Sequence, residues 1–450
     1  MHDILPNPRG LFENLRREHS FEPVKVEGRI PKALRGTLYR NGPGILELFG
    51  ERCSHLFEGD GMISALRFGD DGVSAAARVI QSAGLVAERQ AGRRLGAGKN
   101  TANTHVVPWQ GGLYALMEGG LPTALDPKTL DTLGETNLGG VVQQMFSAHP
   151  HRVAARRCLY NFGMSYGPRT TIDLYALPDA GSACLMGQIP LEHPVMLHDF
   201  IATERHLVFF VSPLHLSIEK IMMQAPFADC FVWTPEAGTE VIVVPIDDPD
   251  KPVRFKVDPF FQFHFAAAYD DGDEIVVDYV HYGNGDLLGS LGDGADISFR
   301  DHQRHVGGKL HRARLNPTAR TFKTTPRWDT FCEFPRTAEH TSGSPHQHTW
   351  VQSERWQDGV LRFGVSRIDH QGHVQEHVLP PGHHASEPVL AQNPTGAETD
   401  GSALVLVYDS VKDCSHVLIF DAETLDVQAR VQLTQPIPIR FHGSWMPSAS

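Results

Sequence analysis

The side chains best suited to chemistry in this sequence are histidines. There are 25 in 450 residues, and histidine is not among the abundant residues of an average protein. Most are expected at the surface, but four sit inside or beside apolar or aromatic segments. They are His149 in Phe146-Ser147-Ala148-His149-Pro150, His198 in Met196-Leu197-His198-Asp199-Phe200, His264 in Phe261-Gln262-Phe263-His264-Phe265 and His442 in Ile439-Arg440-Phe441-His442-Gly443. One such residue is ordinarily a core histidine satisfied by a backbone carbonyl. Four of them, distributed over the last two thirds of the chain, suggest a shared site. Neutral imidazole suits zinc, copper, iron and nickel. Four neutral ligands without a carboxylate leave a divalent ion its full charge and, at six-coordination, two open positions. That arrangement suits oxygen activation better than hydrolysis.

Ligands so distant in sequence need a scaffold that aims separate segments at one point. Short runs rich in apolar or β-branched residues recur along the chain: Leu113–Leu116, Leu207–Phe210, Glu274–Val277 and Ala403–Val407. Between such runs lie Gly69-Asp70-Asp71-Gly72, Asp270-Asp271-Gly272-Asp273, Gly283-Asn284-Gly285 and Asp293-Gly294, and Asp-Gly and Asn-Gly turns are strong hairpin signals. The acidic Asp270–Glu274 stretch lacks the spacing of a calcium loop and reads as a turn. The best helical stripe is Leu214, Ile218, Ile221, Met222 and Ala225, which predicts a short amphipathic helix ended by Pro226. Many short strands with no linker predict one all-β domain over residues 1–450. A propeller accommodates it, since seven four-stranded blades would take roughly 64 residues each and radial repetition turns inner strands toward a common axis. No internal repeat is visible, so periodicity leaves the blade count open.

Hydrophobic residues make up 41% and charged residues 21%, and the formal charge is −13. With no basic stripe, nucleic acid is excluded as a partner. Six cysteines without a Cys-x-x-Cys pair fit a reducing compartment and neither a disulfide framework nor a zinc ribbon. The N-terminus carries no signal-peptide pattern, and no apolar stretch reaches the ~20 residues of a membrane span. The expectation is a cytoplasmic protein with no obligate protein partner.

The sequence resembles the carotenoid cleavage oxygenase family, which includes apocarotenoid and stilbene cleaving enzymes and a retinoid isomerase. The resemblance runs nearly end to end. It covers Gly28-Arg29-Ile30-Pro31, Gly36-Thr37-Leu38-Tyr39-Arg40-Asn41-Gly42-Pro43-Gly44, His55-Leu56-Phe57-Glu58-Gly59-Asp60-Gly61-Met62, Ala115-Leu116-Met117-Glu118-Gly119-Gly120 and Leu125-Asp126-Pro127. It continues through Ser147-Ala148-His149-Pro150, His198-Asp199-Phe200, Phe331-Cys332-Glu333-Phe334-Pro335-Arg336, Ser386-Glu387-Pro388 and Phe441-His442-Gly443-Ser444-Trp445.

The resemblance implies a seven-bladed β-propeller, with short helical loops covering the face that bears one iron(II) per chain. His149, His198, His264 and His442 occupy the family's ligand positions. Glu118, Glu333 and Glu387 occupy the positions of glutamates that stand behind three of the histidines, where a carboxylate fixes the tautomer and orientation of a ligating ring. His151, His346, His348, His383 and His384 match no ligand position and read as solvated. The implied reaction is cleavage of a carbon–carbon double bond by O2 into two carbonyl products. Thr104, in Asn103-Thr104-His105-Val106-Val107, matches a threonine of cleaving members near the open positions, so cleavage is favoured over isomerisation. Met117 stands where stilbene-cleaving relatives carry a lysine, which favours a lipophilic carotenoid or apocarotenoid over a stilbene or phenylpropene. A non-catalytic propeller would show broken ligand motifs, and all four are intact. Met117, Met222, Phe227, Phe263, Phe265 and Trp445 are the expected substrate-tunnel residues. The Leu214–Ala225 stripe reads either as a peripheral membrane contact or as a helix packed on the propeller.

Overall fold

The apolar runs singled out above are strands. Leu113–Leu116 lies in strand Gly112–Leu116, Leu207–Phe210 in His206–Val211, Glu274–Val277 in Glu274–His281 and Ala403–Val407 in Gly401–Asp409. The computed structural model describes residues 8–95, 98–167, 169–223, 225–291 and 307–448. Among them antiparallel β-sheet dominates. Gly69 pairs with Gly72 across a two-residue turn, and Asp271 pairs with Glu274 across Gly272-Asp273. Gly272 has φ 62°, a conformation that disfavours L side chains, so this acidic stretch is a hairpin. Gly283-Asn284-Gly285 instead leads into the helical turn Leu287–Ser290, and Asp293-Gly294 lies outside the described residues.

The chain divides into two compact units. The first comprises Met1–Met117, Pro122–Glu135 and His348–Ser450. One of its sheets runs His19–Pro23, Gly72–Val79, Asp60–Gly69, Gly36–Ile45 and Gly443–Pro447. Leu38 stands opposite Trp445 and Arg40 opposite Gly443, so the C-terminal strand completes an N-terminal sheet. A second sheet runs Thr132–Glu135, Thr123–Leu125, Gly112–Leu116 and His105–Trp109, and a third contains His348–Gln357, Val360–Asp369 and Val374–Val378. A fourth joins Val26–Gly28, Val427–Gln432, Cys414–Asp421 and Gly401–Asp409, the last pairing with both His383–Ala385 and Val389–Gln392.

The second unit is Glu118–Leu121 with Thr136–Gln347. Its strands run, in hydrogen-bonded order, His151–Val153, Cys158–Ser165, Thr170–Pro178 and Cys184–Leu191 in one sheet; Ile201–Ala202, His206–Val211, Thr239–Pro245 and Val253–Val257 in another; and Phe265–Asp271, Glu274–His281, Lys309–Asn316 and Thr321–Arg336 as four strands of a larger one. Strand His206–Val211 shows why its sequence is apolar at every position. Leu207 and Phe209 pack with Ile172 and Leu174. Val208 and Phe210, on the opposite face, pack with Tyr279, Ala313 and Leu315. Burying an aliphatic or aromatic side chain of this kind stabilises the fold by about 1.5–3 kcal/mol.

The predicted helix over Leu214–Ala225 is shorter than its stripe. Leu214–Leu216 is a strand paired with Phe231–Trp233, and the helix is Ile218–Met222, with the Ser217 hydroxyl accepting from the Lys220 N–H at its start. Its apolar residues face outward: Ile218 is 53% exposed and Met222 80%. A helix not singled out in the sequence, Ala83–Ala91, has Ser82 accepting from Leu85 N–H at one end and Gly92 at φ 65° at the other. Both caps are legible signals. No described helix is long and apolar enough to cross a membrane.

Candidate metal centre

Each of the four histidines enters just ahead of the edge strand of a different sheet. His149 precedes His151–Val153, His198 precedes Ile201–Ala202, His264 precedes Phe265–Asp271 and His442 precedes Gly443–Pro447. The backbone is there released from sheet pairing, so the rings can turn away from the blade-like layers that carry them. All four are buried, at 3–8% exposure. Within the second unit, one ligand nitrogen from each of His149, His198 and His264 lies within 4.8 Å of the others.

In the second unit, the rings of His149 and His198 are 4.3 Å apart, and that of His264 lies 5.2 Å and 5.1 Å from them. His198 Nδ1 faces Glu118 Oε1 at 2.8 Å. His264 Nδ1 donates to Glu333 Oε2 at 2.5 Å, while Glu333 also accepts from the Tyr282 hydroxyl at 2.5 Å and from Phe334 N–H at 2.6 Å. Phe334 makes that contact with φ 53°, an uncommon conformation for a bulky residue, and stacks its ring on His264 at 5.3 Å. Burial opposes ionisation of Glu118 and Glu333, but His198 and His264 outweigh it and hold both carboxyls below the ordinary glutamate range.

In the first unit, His442 Nδ1 donates to Glu387 Oε1 at 2.9 Å. Gly443 N–H and Arg40 both donate to Glu387 Oε2. Thr104 is buried and bonded into the same layer: its carbonyl accepts from His442 N–H at 3.1 Å, and its hydroxyl donates to Asn103.

This donor set fits a cation. A carboxylate is an acceptor only, so the three glutamates fix the proton on Nδ1 of His198, His264 and His442 and leave the Nε2 lone pair inward. His198 Nε2 and His264 Nε2 are 3.2 Å apart. Two lone pairs at that distance repel unless a cation or proton lies between them, and the spacing suits two bonds of about 2.1 Å to one ion.

The other expected site residues are placed as follows. Phe263 stands edge-on to His198 at 4.7 Å, and Met117 is half-buried beside Glu118 in sequence. Phe265 packs in the core against Phe210 and Tyr279, and Trp445 packs on Phe68. Phe227 packs on Phe231, and Met222 is exposed. None of the five histidines expected to be solvated is exposed: His151, His348, His383 and His384 are half-buried and His346 is buried. His346 is 5% exposed and donates to Asp278 at 3.0 Å, and His151 donates to Asp199 at 2.7 Å. Each has an acidic partner dozens of residues away, which local sequence does not reveal. Tyr282, Arg40 and Asp199 were not singled out as site residues, although Arg40 and Asp199 fall inside the motifs quoted above.

The sheets and the buried imidazoles define a mostly β-sheet protein whose histidines could hold a metal ion. The chain belongs to the retinal pigment epithelial membrane protein (RPE65) family, whose model matches residues 12–447. It is 28% identical over 468 residues to apocarotenoid-15,15'-oxygenase of Synechocystis sp., covering 96% of this chain and 95% of the relative. It is 27% identical over 481 residues to lignostilbene-alpha,beta-dioxygenase isozyme III of Sphingomonas paucimobilis, covering 97% and 96%. The fold is shared with the crystal structure of cobalt-substituted Synechocystis ACO, at a TM-score of 0.88 and 29% identity over 98% of this chain and 99% of that one.

Proposed function

We propose that this chain is a non-haem iron(II) dioxygenase that cleaves a carbon–carbon double bond of a carotenoid or apocarotenoid. The observation that carries this reading is the buried set His149, His198 and His264 of the second unit, with Glu118 and Glu333 turned onto two of the rings and, in the first unit, Glu387 turned onto His442. Those four imidazoles would hold one iron(II), and the glutamates would fix their tautomers and raise their basicity. When bound, iron(II) supplies the activation of O2 that an all-imidazole set with open positions suits.

The protein's own share is placement and exclusion of water. Both oxygen atoms of O2 are used, one on each carbon of the former double bond, so no side chain has to supply or remove a proton. Phe263, edge-on to His198 in the second unit, would wall the reacting end of the substrate; Thr104 and Met117 are proposed to control access to the metal and to contact the substrate. Met117 also favours a polyene over a phenolic stilbene, because an uncharged, flexible side chain offers no partner to a phenolate. The 27% identity to a lignostilbene dioxygenase keeps the stilbene as the alternative substrate.

The antiparallel sheets that fill both units support the reading of a propeller, with seven blades over the whole chain as the proposed count. Helical segments in the loops, such as Ile218–Met222 and Phe227–Cys230, would lie over the metal-bearing face.

The test is metal analysis of the purified protein together with mass spectrometry of products from apocarotenals and from resveratrol-like stilbenes. One equivalent of iron and paired carbonyl products from an apocarotenal are expected. Products from stilbenes alone would select the alternative, and no iron with no products would overturn both.

A further inference from the structure

Asp199 follows His198 directly, yet its carboxylate hydrogen-bonds to none of the rings of His149, His198 and His264. Its Oδ1 accepts from Phe200 N–H at 2.8 Å and from His151 Nε2–H at 2.7 Å. Its Oδ2 accepts from Phe265 N–H at 2.9 Å. Those three donors sit on three different ligand-bearing segments. His151 is two residues beyond His149, Phe200 two beyond His198, and Phe265 one beyond His264. Asp199 is 1% exposed, so the contacts are dry and charge-assisted, a class of hydrogen bond about twice as strong as a neutral one. A second tie runs beside it: the Ser147 hydroxyl donates to the His198 carbonyl at 3.4 Å and accepts from His149 N–H at 3.1 Å.

We infer that Asp199 is a positioning residue that sets the spacing of the His149, His198 and His264 segments and so the geometry in which their ring nitrogens meet a metal. The inference rests on the metal-centre reading above. The three glutamates fix how each ring is turned about its own axis; Asp199 fixes where the segments stand relative to one another. A histidine displaced by a fraction of an ångström still keeps its glutamate, whose side chain can follow it, but no longer shares a point with its neighbours.

Asp199→Asn tests this with little change of volume. The amide has one acceptor oxygen, so its NH2 must face either the Phe265 N–H or the donors on the other side. Cobalt(II) is the probe, because its visible ligand-field bands report coordination geometry without turnover. Asp199→Asn is expected to weaken cobalt(II) binding about 10–100-fold, the range seen for lost outer partners, and to shift the bands. His151→Gln, which keeps a donor but moves it, is expected to fall between Asp199→Asn and the wild type. Asp278→Asn is the control: it breaks a buried carboxylate network with Arg312 and His346 in the same unit and should lower Tm while leaving affinity and bands unchanged.

If Asp199→Asn lowers Tm as Asp278→Asn does but binds cobalt(II) with wild-type affinity and spectrum, Asp199 is merely structural and the inference fails. If Asp199→Asn does not fold, His151→Gln decides: unshifted bands refute the inference. A wild-type protein that gives no cobalt(II) spectrum overturns the metal-centre reading itself, which is a separate result.

Discussion

Arg40 donates to Glu387 at 2.6 Å, and both side chains are 1% exposed. Glu387 is also the partner of His442, so one buried carboxylate both closes an ion pair and orients a ring. Removing one partner of a buried pair leaves an uncompensated charge and costs about 3–5 kcal/mol, whereas replacing both with apolar groups is often neutral. Arg40→Met should therefore lower Tm sharply, and Arg40→Met with Glu387→Met should recover much of the loss. The double variant should still bind metal about 10–100-fold more weakly than wild type, because His442 has lost its acceptor. Thermal unfolding of the apo forms and metal titration check the two halves separately. A double variant no more stable than Arg40→Met would contradict the pair's role.

Glu333 and Glu339 provide an internal comparison. Glu333 accepts from His264, Tyr282 and Phe334, whereas the Glu339 side chain is 75% exposed with Arg152 3.5 Å away. Glu333→Gln should reduce iron content or turnover about 10–100-fold. Glu339→Gln should change stability by no more than about 0.5 kcal/mol, as for ordinary surface substitutions, and leave iron content unchanged. Equal effects would remove Glu333 from the metal centre.

What the sequence made legible follows from how local each signal is. The four histidines were visible because imidazoles among aromatic residues are out of place at a surface. Strands such as Leu207–Phe210 were visible because a run buried on both faces must be apolar throughout. The stripe at Leu214, Ile218 and Ile221 misled because Leu214–Leu216 is claimed by pairing with Phe231–Trp233, a distant contact that overrides helical periodicity. The same limit hid the partnerships of Arg40 with Glu387, 347 positions apart, and of His346 with Asp278, 68 positions apart. Asp199 was in plain view in a quoted motif, but its donors at His151 and Phe265 come together only on folding.

Histidines away from the centre set an acid limit on stability. His416 is 2% exposed in strand Cys414–Asp421. Burial, with Arg430 and His383 nearby, pushes its pKa from 6.5 down to about 4. Between those values the unfolded chain binds the proton and the native state does not, and stability rises with pH wherever the unfolded state binds more protons. The contribution is thus intact above about pH 6.5, is lost as pH falls toward 4, and changes no further below it. His416→Gln should flatten that part of the stability profile by on the order of 2 kcal/mol at pH 4, with little effect on the slope above pH 7. Urea unfolding between pH 4 and 8 measures both slopes, and an unchanged acid slope would show that His416 does not carry it.

The exposed apolar cluster on helix Ile218–Met222 makes a prediction about surfaces. Ile218 is 53% exposed, Ile221 43%, Met222 80% and Met223 73%, with the Ser217 cap fixing where the helix begins. Isolated exposed apolar residues are ordinary, but four within six residues form a patch that can enter the headgroup region of a bilayer, where a lipophilic polyene resides. Each side chain withdrawn from water contributes about 1.5–3 kcal/mol when fully buried, and 1.4 kcal/mol is tenfold in affinity. Combining Ile221→Glu with Met222→Glu should therefore weaken co-sedimentation with phosphatidylcholine vesicles at least about tenfold. Because neither side chain is packed in the core, Tm should stay nearly constant. Cleavage of a detergent-solubilised apocarotenal should also survive, since the change affects delivery of substrate and not the metal centre. Undiminished vesicle binding by the double variant would place the membrane contact elsewhere.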